Sequence, residues 1–353
     1  MWIGMLTRIA EDALERLEDA DGGFFDSLYL RDGGLGRSVT KKANYNAVCA
    51  IALLDRWKAG RMKKHVGYLV SRCEENDFLV PSFEGGGETT WGEQGLLLWA
   101  LAKAEKKGFR NAKRAREGLR RRIASETTAK GLPHDVGSDW YVPMDNAFLL
   151  DGMLECGDMK TARIFANALL RACSNPPVFA IERDGRRTDR ISFNNIAYPI
   201  HALSRYCLKS GDAAAREKLR ASVETLLGMQ GPLGQWWWTY NAEGRVVQRY
   251  PVYAVHQDGM AVMALRMASR VFPDIKPEAD AAISRALAWL YGRNEIGESL
   301  VDERRGVIWR SIRCPATVQG INRFAPWFPE FGLHVKKESR SYHYGWLLYG
   351  ASL

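Results

Sequence analysis

A rhythm of paired helical segments constrains this chain more than any other feature, because the first member of each pair opens on the same mixture of Trp, Tyr, Asn, Asp, Glu and His. Openings fall near Asn44, Trp91, Asp145, Asn194, His256 and Tyr342. Apolar periodicity predicts helices over 43–57, 93–104, 146–156, 196–208, 259–271 and 344–351. These segments are apolar around most of their circumference, with small residues such as Ala47, Ala50, Ala197, Ala261 and Ala264 among the large ones. Helices of that kind are buried on nearly all sides. Each of the first five is followed, after a short break, by a more amphipathic segment, over 61–74, 111–125, 159–172, 214–228 and 278–291. The buried members are expected to form an inner ring and the amphipathic ones an outer ring.

The last inner segment has no following partner, and the helical pattern over 6–19 has no preceding one. Pairing the two closes a ring of six hairpins, which is the expected arrangement of residues 1–353 as one unit. The composition agrees, with 46% hydrophobic and 26% charged residues and no Pro- or Ser-rich linker. No apolar run approaches the roughly 20 residues that cross a bilayer. Residues 1–18 carry Glu, Asp and Arg where a secretory signal would be apolar, so a cytoplasmic protein without membrane insertion is expected. Cys49, Cys73, Cys156, Cys173 and Cys207 fall within helical patterns and Cys314 in a loop. None forms a CxxC pair or stands at metal spacing from a His, so neither a metal nor another cofactor is expected.

The net charge of +9 is local. Residues 103–130 hold eleven Lys and Arg against three Glu, an excess of eight. The stretch reads as a helix with Ala112, Ala115, Leu119 and Ile123 facing inward and its cations solvated. Only Phe109 interleaves with the charges and no nucleic-acid-binding motif accompanies them, so a nucleic-acid partner is not expected.

In a ring wound this way, the long connections 21–42, 78–90, 130–144, 175–191, 231–255 and 293–341 all emerge where the inner helices begin. Function is expected there, because loops and helix N-termini converge on that face. Two connections read as β-hairpins, 234–250 around Asn241 to Gly244 and 299–312 around Glu303 to Gly306. Six of the twelve tryptophans (Trp91, Trp140, Trp236, Trp237, Trp238 and Trp309) fall in or beside these connections. Flat aromatic faces stack on sugar C–H groups while Asp, Asn, Gln and Arg bond hydroxyls, so a saccharide substrate is expected.

Three chemistries fit the polar residues, and hydrolysis of a glycosidic bond by paired carboxylates is the leading expectation. Glu93, Asp145 and Asp258 stand in the first turns of inner helices. Carboxyls about 6.5–9.5 Å apart suit inverting glycosidic hydrolysis, a span that neighbouring helix axes allow. Carboxylates at helix starts also serve as caps and complement the helix dipole. Tyr253 and His256, with Arg249 and Tyr250 nearby, fit abstraction of the proton beside a uronate carboxylate, as in a lyase or C5-epimerase. Trp91, Trp140, Asn146, Asn194, Asn195, Trp237, Arg249, Tyr250, Gln257 and Tyr342 complete the substrate-binding set, with His201 on the same helix as Asn194. Non-catalytic glycan binding is the third reading, favoured by stacked tryptophans without convergent carboxylates.

The pattern as a whole resembles the α/α-toroid superfold of six-hairpin glycosidases, several polysaccharide lyases, uronyl C5-epimerases and terpenoid cyclases. That resemblance implies an all-α (α/α)6 toroid acting on an oligo- or polysaccharide. The stretch from Trp238-Thr-Tyr240 through Tyr253, His256 and Met260 to Trp289 resembles the C-terminal helical domain of glucuronyl C5-epimerases, with Asn241 in place of an acidic residue. Gln230-x-x-x-Gly234-x-Trp236 resembles the QW signature of triterpene cyclases, whose DxDD and DDxxD acids are absent here.

Overall fold

The computed structural model describes residues 2–31, 33–174, 178–322 and 331–353. Parts of the expected connections 21–42, 175–191 and 293–341 lie outside the described residues. In chain order the first helices are α1 (Trp2–Leu17), α2 (Ala43–Leu53), α3 (Ala59–Glu75), α4 (Trp91–Lys106), α5 (Ala112–Glu126), α6 (Pro143–Cys156) and α7 (Met159–Ala172). They are followed by α8 (Asn194–Ser210), α9 (Ala213–Gly228), α10 (Ala261–Val271), α11 (Lys276–Leu290), the short α12 (Ala316–Asn322) and α13 (Ser341–Ser352).

Helices α2, α4, α6, α8, α10 and α13 pack side by side in a closed inner ring, α13 against both α2 and α10. Outside them, α3, α5, α7, α9 and α11 each pack on the inner helix that precedes them, and α1 packs on α13. The division follows from the sequence. Helix α4 buries twelve of its sixteen residues, whereas α7 buries one stripe (Thr161, Ala162, Phe165, Ala166, Leu169) at helical spacing. Fully burying a side chain such as Phe165 contributes about 2–3 kcal/mol. The inner ring is tight where glycine permits. A Cβ on Gly95 would lie 2.5 Å from the Leu149 nitrogen, and one on Gly152 would lie 2.7 Å from the Gly95 carbonyl oxygen. These two glycines let α4 and α6 approach backbone to backbone.

At the C-terminal ends of the inner helices, cations from neighbouring helices satisfy carbonyls that a helix end leaves open. Lys103 donates to Ile51 O (2.6 Å), Lys209 to Leu154 O (2.7 Å) and Arg266 to Gly350 O (2.9 Å). A buried polar web closes this end. Asp151 bonds His201 (3.0 Å) and Arg205 (2.7 Å), and His201 bonds Tyr349 (3.0 Å). His201 therefore belongs to this end of the ring, and the mouth is at the other.

The connections at the mouth carry short antiparallel pairings. Thr239–Tyr240 pairs with Val246–Gln248 and with Ile191–Ser192, and Val301–Asp302 pairs with Val307–Ile308. A third sheet joins Val252–Tyr253, Ser311–Arg313 and His334–Lys336, which brings residues from two distant connections to the start of α10. That start is a π-helical turn, His256–Met260, a rare form that is frequent at functional sites.

Most of the basic stretch is neutralised in place. Lys103 and Lys107 pair with Asp55, Lys106 with Glu155, Arg116 with Glu105 and Glu117, and Arg120 with Glu117 and Asp158. All six cysteines are free, and no helix among the described residues is long and apolar enough to cross a membrane.

Candidate functional site

The N-terminal ends of the inner helices surround a cavity of about 260 Å³. One rule builds its wall. Each inner helix contributes a second-turn residue to the floor: Val48, Leu96, Phe148, Tyr198, Met260 and Trp346. The residue one turn earlier forms the rim on five of the helices: Asn44, Met144, Asn194, His256 and Tyr342. On α4 the corresponding position is Gly92, and a Cβ there would lie 2.1 Å from Asp145 Oδ1. Tyr45, Trp238, Tyr253 and Arg310 complete the lining.

His256 sits at the π turn in an aromatic cage. Its ring stacks on Trp238 (centroids 5.6 Å apart, planes 11° apart), with Phe193 at 4.7 Å and Tyr253 at 5.3 Å. It is 1% exposed, and its Nδ1 has no hydrogen-bond partner among the described residues. Burial pushes its pKa down to about 3, against a small opposing pull from the Trp236 backbone. The imidazole is therefore neutral at physiological pH.

Arg310 is the cavity's cation. It lies 5.3 Å over the Tyr253 ring and donates from Nη1 to Glu338 Oε1 (2.9 Å), while its Nε is buried and unpartnered among the described residues. Glu338 is also held by Lys336 and Arg340. Burial raises the pKa of Tyr45, Tyr253 and Tyr342, and Arg310 draws each of them back, so the three phenols gather around one guanidinium. Tyr45 and Tyr342 also pack ring on ring, 4.5 Å between centroids.

None of the described residues lining the cavity is Asp or Glu. Successive helical residues are about 100° apart, so a one-residue offset decides what faces the axis. Glu93 follows the axis-facing Gly92 and turns toward Ser82 beside the start of α2, whereas Asp145 follows Met144 and turns toward Gly92 of α4. Glu93 accepts from Ser82 Oγ (2.6 Å), and burial raises its pKa to about 7 while Ser82 and Lys42 pull the other way. His134 Nδ1 lies 2.5 Å from Asp145 Oδ2. Burial raises the pKa of Asp145; it also opposes charge on His134, but Asp145 outweighs that and raises the His134 pKa. Asp258 lies two residues beyond His256 and points out of the cavity. Both of its oxygens accept from His343 Nε2 at 2.8 Å, and burial raises its pKa.

Several polar residues expected to bind substrate instead tie loops to helices. Asn146 accepts from Leu132 N (3.2 Å) and donates to Leu132 O (2.9 Å). Gln257 does the same for Trp236 (2.9 and 3.0 Å), as do Asn46 for Phe24 and Gln94 for Val80. Each is buried, and each also donates to the carbonyl four residues back. The side-chain amide replaces a β-bridge partner for a loop backbone that would otherwise be unsatisfied. Asn195 similarly accepts from Met144 N (2.9 Å).

Among the remaining candidates, Asn194 and Tyr342 line the cavity beside His256 and Tyr253. Trp91 is buried in α4, and Trp140 packs on His134 (4.4 Å), outside the cavity lining. Trp237 is buried against Tyr250 (5.8 Å), with Arg249 stacked over it (5.7 Å), outside the cavity lining. Arg310, Tyr45 and Trp238 stand in the wall without having been singled out as binding residues. Position 310 lies within a predicted hairpin, but only the pairing of this stretch with the strand before His256 brings it to the cavity. No three-residue His, Cys, Asp and Glu group that could hold a metal ion is found among the described residues.

No protein-family model and no curated protein matches this chain. Solved structures do match. A D-mannose isomerase is 11% identical over 99% of this chain and 97% of its own, with a TM-score of 0.75. The cellobiose 2-epimerase from Spirochaeta thermophila DSM 6192 is 12% identical over 99% and 95%, with a TM-score of 0.70. The fold is an α/α toroid. The α-1,6-mannanase GH76A from Salegentibacter sp. HEL1_6, at 13% identity over 99% and 98% and a TM-score of 0.64, shares the same six-hairpin arrangement. At these identities the likeness establishes the fold.

Proposed function

We propose that the protein is a carbohydrate-active enzyme that moves a proton at C5 of a uronate, giving epimerisation or β-elimination. The observation that carries this reading is the composition of the cavity lining: a neutral histidine, three tyrosines around one arginine, and no carboxylate among the described residues. Solved structures of the same fold, a D-mannose isomerase, a cellobiose 2-epimerase and an α-1,6-mannanase, support a sugar as substrate. A cavity of about 260 Å³ lies below the range of about 300–1,000 Å³ typical of drug-sized ligand sites, which suits one sugar ring.

The steps follow from the residues. Arg310 pairs with the C6 carboxylate, with the phenols of Tyr45 and Tyr342 beside it as donors. His256 takes the C5 proton, and the electron pair passes into the carboxylate as an enediolate that Arg310 stabilises. Donation of a proton by a cavity phenol to the opposite face of the enediolate, with His256 keeping the proton it took, inverts C5. Departure of the C4 oxygen, protonated by Tyr253, gives instead a 4,5-unsaturated ring. The low pKa of His256 comes from burial; an anion bound beside it favours the imidazolium and so strengthens the base when substrate is present. A cytoplasmic site of action on saccharides belongs to the same proposal, supported by six cysteines that form no disulfide.

Glu93 supports a second reading, hydrolysis. Its pKa of about 7 suits a general acid, and Asp145 lies close enough to act on it electrostatically. The variants H256Q, Y253F, E93Q and D145N separate the two. Proton transfer at C5 predicts loss of turnover on uronate oligosaccharides, about 100-fold or more, for H256Q with little change for D145N. Loss confined to E93Q and D145N, with reducing ends released, overturns it.

A further inference from the structure

The cavity's cation is not the mouth's only one. Lys42 caps the N-terminus of α2, two residues before Asn44 and three before Tyr45, both in the cavity wall. Its ammonium lies 5.3 Å over the Tyr45 ring and 4.3 Å over the Phe83 ring. Among the described residues it makes no ion pair or side-chain hydrogen bond, and the acids that feel its charge are Asp26 and Glu93. The contrast with its neighbour is informative: Lys41 is buried and held by Asp19 (2.6 Å) and Asp21 (2.5 Å). Phe83, the second ring that Lys42 meets, is 37% exposed. Two aromatic rings orient Lys42 without neutralising it, and one of them, Tyr45, also faces Arg310.

We infer that Lys42, with Phe83 beneath it, forms an outer subsite for a second acidic sugar, so that the preferred ligand is a chain end carrying carboxylates on two adjacent rings. The inference rests on the uronate reading of the cavity. Arg310 holds the carboxylate of the ring inside, Lys42 meets the carboxylate of the ring outside, and the exposed part of Phe83 offers apolar surface to that ring's C–H groups. Lys42 takes no part in proton transfer, so it affects binding and leaves the chemical step alone.

The test uses the intact protein and two sets of probes: glucuronate, galacturonate and mannuronate as monosaccharides, and the corresponding uronic-acid disaccharides. Quenching of Trp238 and Trp346, which line the cavity, reports binding. The wild type binds at least one disaccharide more tightly than its monosaccharide. K42Q removes about fivefold to tenfold of that advantage, the range between a partly exposed ion pair and a charge-assisted one. It leaves monosaccharide affinity unchanged, and K42R retains the advantage. R310Q abolishes binding of both. If K42Q weakens both ligands alike, or leaves the disaccharide preference intact while R310Q still abolishes binding, the outer subsite is overturned and the uronate cavity stands. If the wild type binds none of the probes, the uronate reading falls and the subsite with it.

Discussion

Replacing Gln257 by leucine tests whether the polar openings of the inner helices are clamps or ligand contacts. Gln257 is fully buried, accepts from Trp236 N (2.9 Å) and donates to Trp236 O (3.0 Å) and Tyr253 O (3.0 Å). Leucine nearly fills the volume, so the cavity contribution is small. The Trp236 N–H and C=O are left buried without partners, at about 1–3 kcal/mol each, or about 4 kcal/mol together. An unfolding entropy of about 2.1 cal/mol/K per residue makes that roughly a 5 °C fall in Tm for a chain of this length. Q94L, which orphans Val80 in the same way, is expected to fall by a similar amount. N194A, in the cavity wall, is expected to lose less than about 1 kcal/mol because its side chain ties down no distant loop: it bonds Ser192, the adjacent Asn195 and the Met144 sulfur. Thermal and urea unfolding of the three variants decide the matter. A change below about 1 kcal/mol for Q257L together with Q94L would refute the clamp, and a larger loss for N194A would invert the assignment of roles.

Three further outcomes are expected. His256 binds protons more readily unfolded than folded, with its pKa falling from 6.5 to about 3. The stability it contributes is complete above pH 6.5 and is lost as pH falls toward 3, by about 1.4 kcal/mol per unit; H256Q should flatten that slope in urea titrations at stepped pH. Glu93 acts in the opposite sense, because its folded pKa is raised from 4.5 to about 7. Its share of stability is present below pH 4.5 and lost as pH rises toward 7, so E93Q should gain on the wild type across that window. In G92A the added methyl meets Asp145 Oδ1, and the expected cost is about 1–3 kcal/mol with loss of the His134–Asp145 contact, visible as a lowered His134 pKa by NMR.

Much of the architecture can be read from the sequence because a helix buried on all sides differs in composition from one buried on a single stripe. That contrast separates α4 from α5 and α6 from α7, and the unpaired first and last segments point to the packing of α1 on α13. The polar openings are harder to read. A helix turns about 100° per residue, so the sequence locates the first turn of α6 but does not say whether Met144 or Asp145 faces the axis. The π turn shifts that phase again at Asp258, which turns to His343. Asn146 and Gln257 resemble ligand-binding amides in sequence because a loop backbone and a sugar hydroxyl present the same donors and acceptors. Arg310 reaches the cavity through pairing of residues 311–312 with 252–253, a contact between segments about sixty positions apart with no local signature.

The most direct measurement is solvent exchange at C5. Uronate oligosaccharides incubated in D2O with the wild type should acquire deuterium at C5, or yield a 4,5-unsaturated end absorbing in the near ultraviolet, and H256Q should do neither. Release of reducing ends with C5 hydrogen fully retained, unaffected by H256Q and abolished by E93Q, would contradict the account.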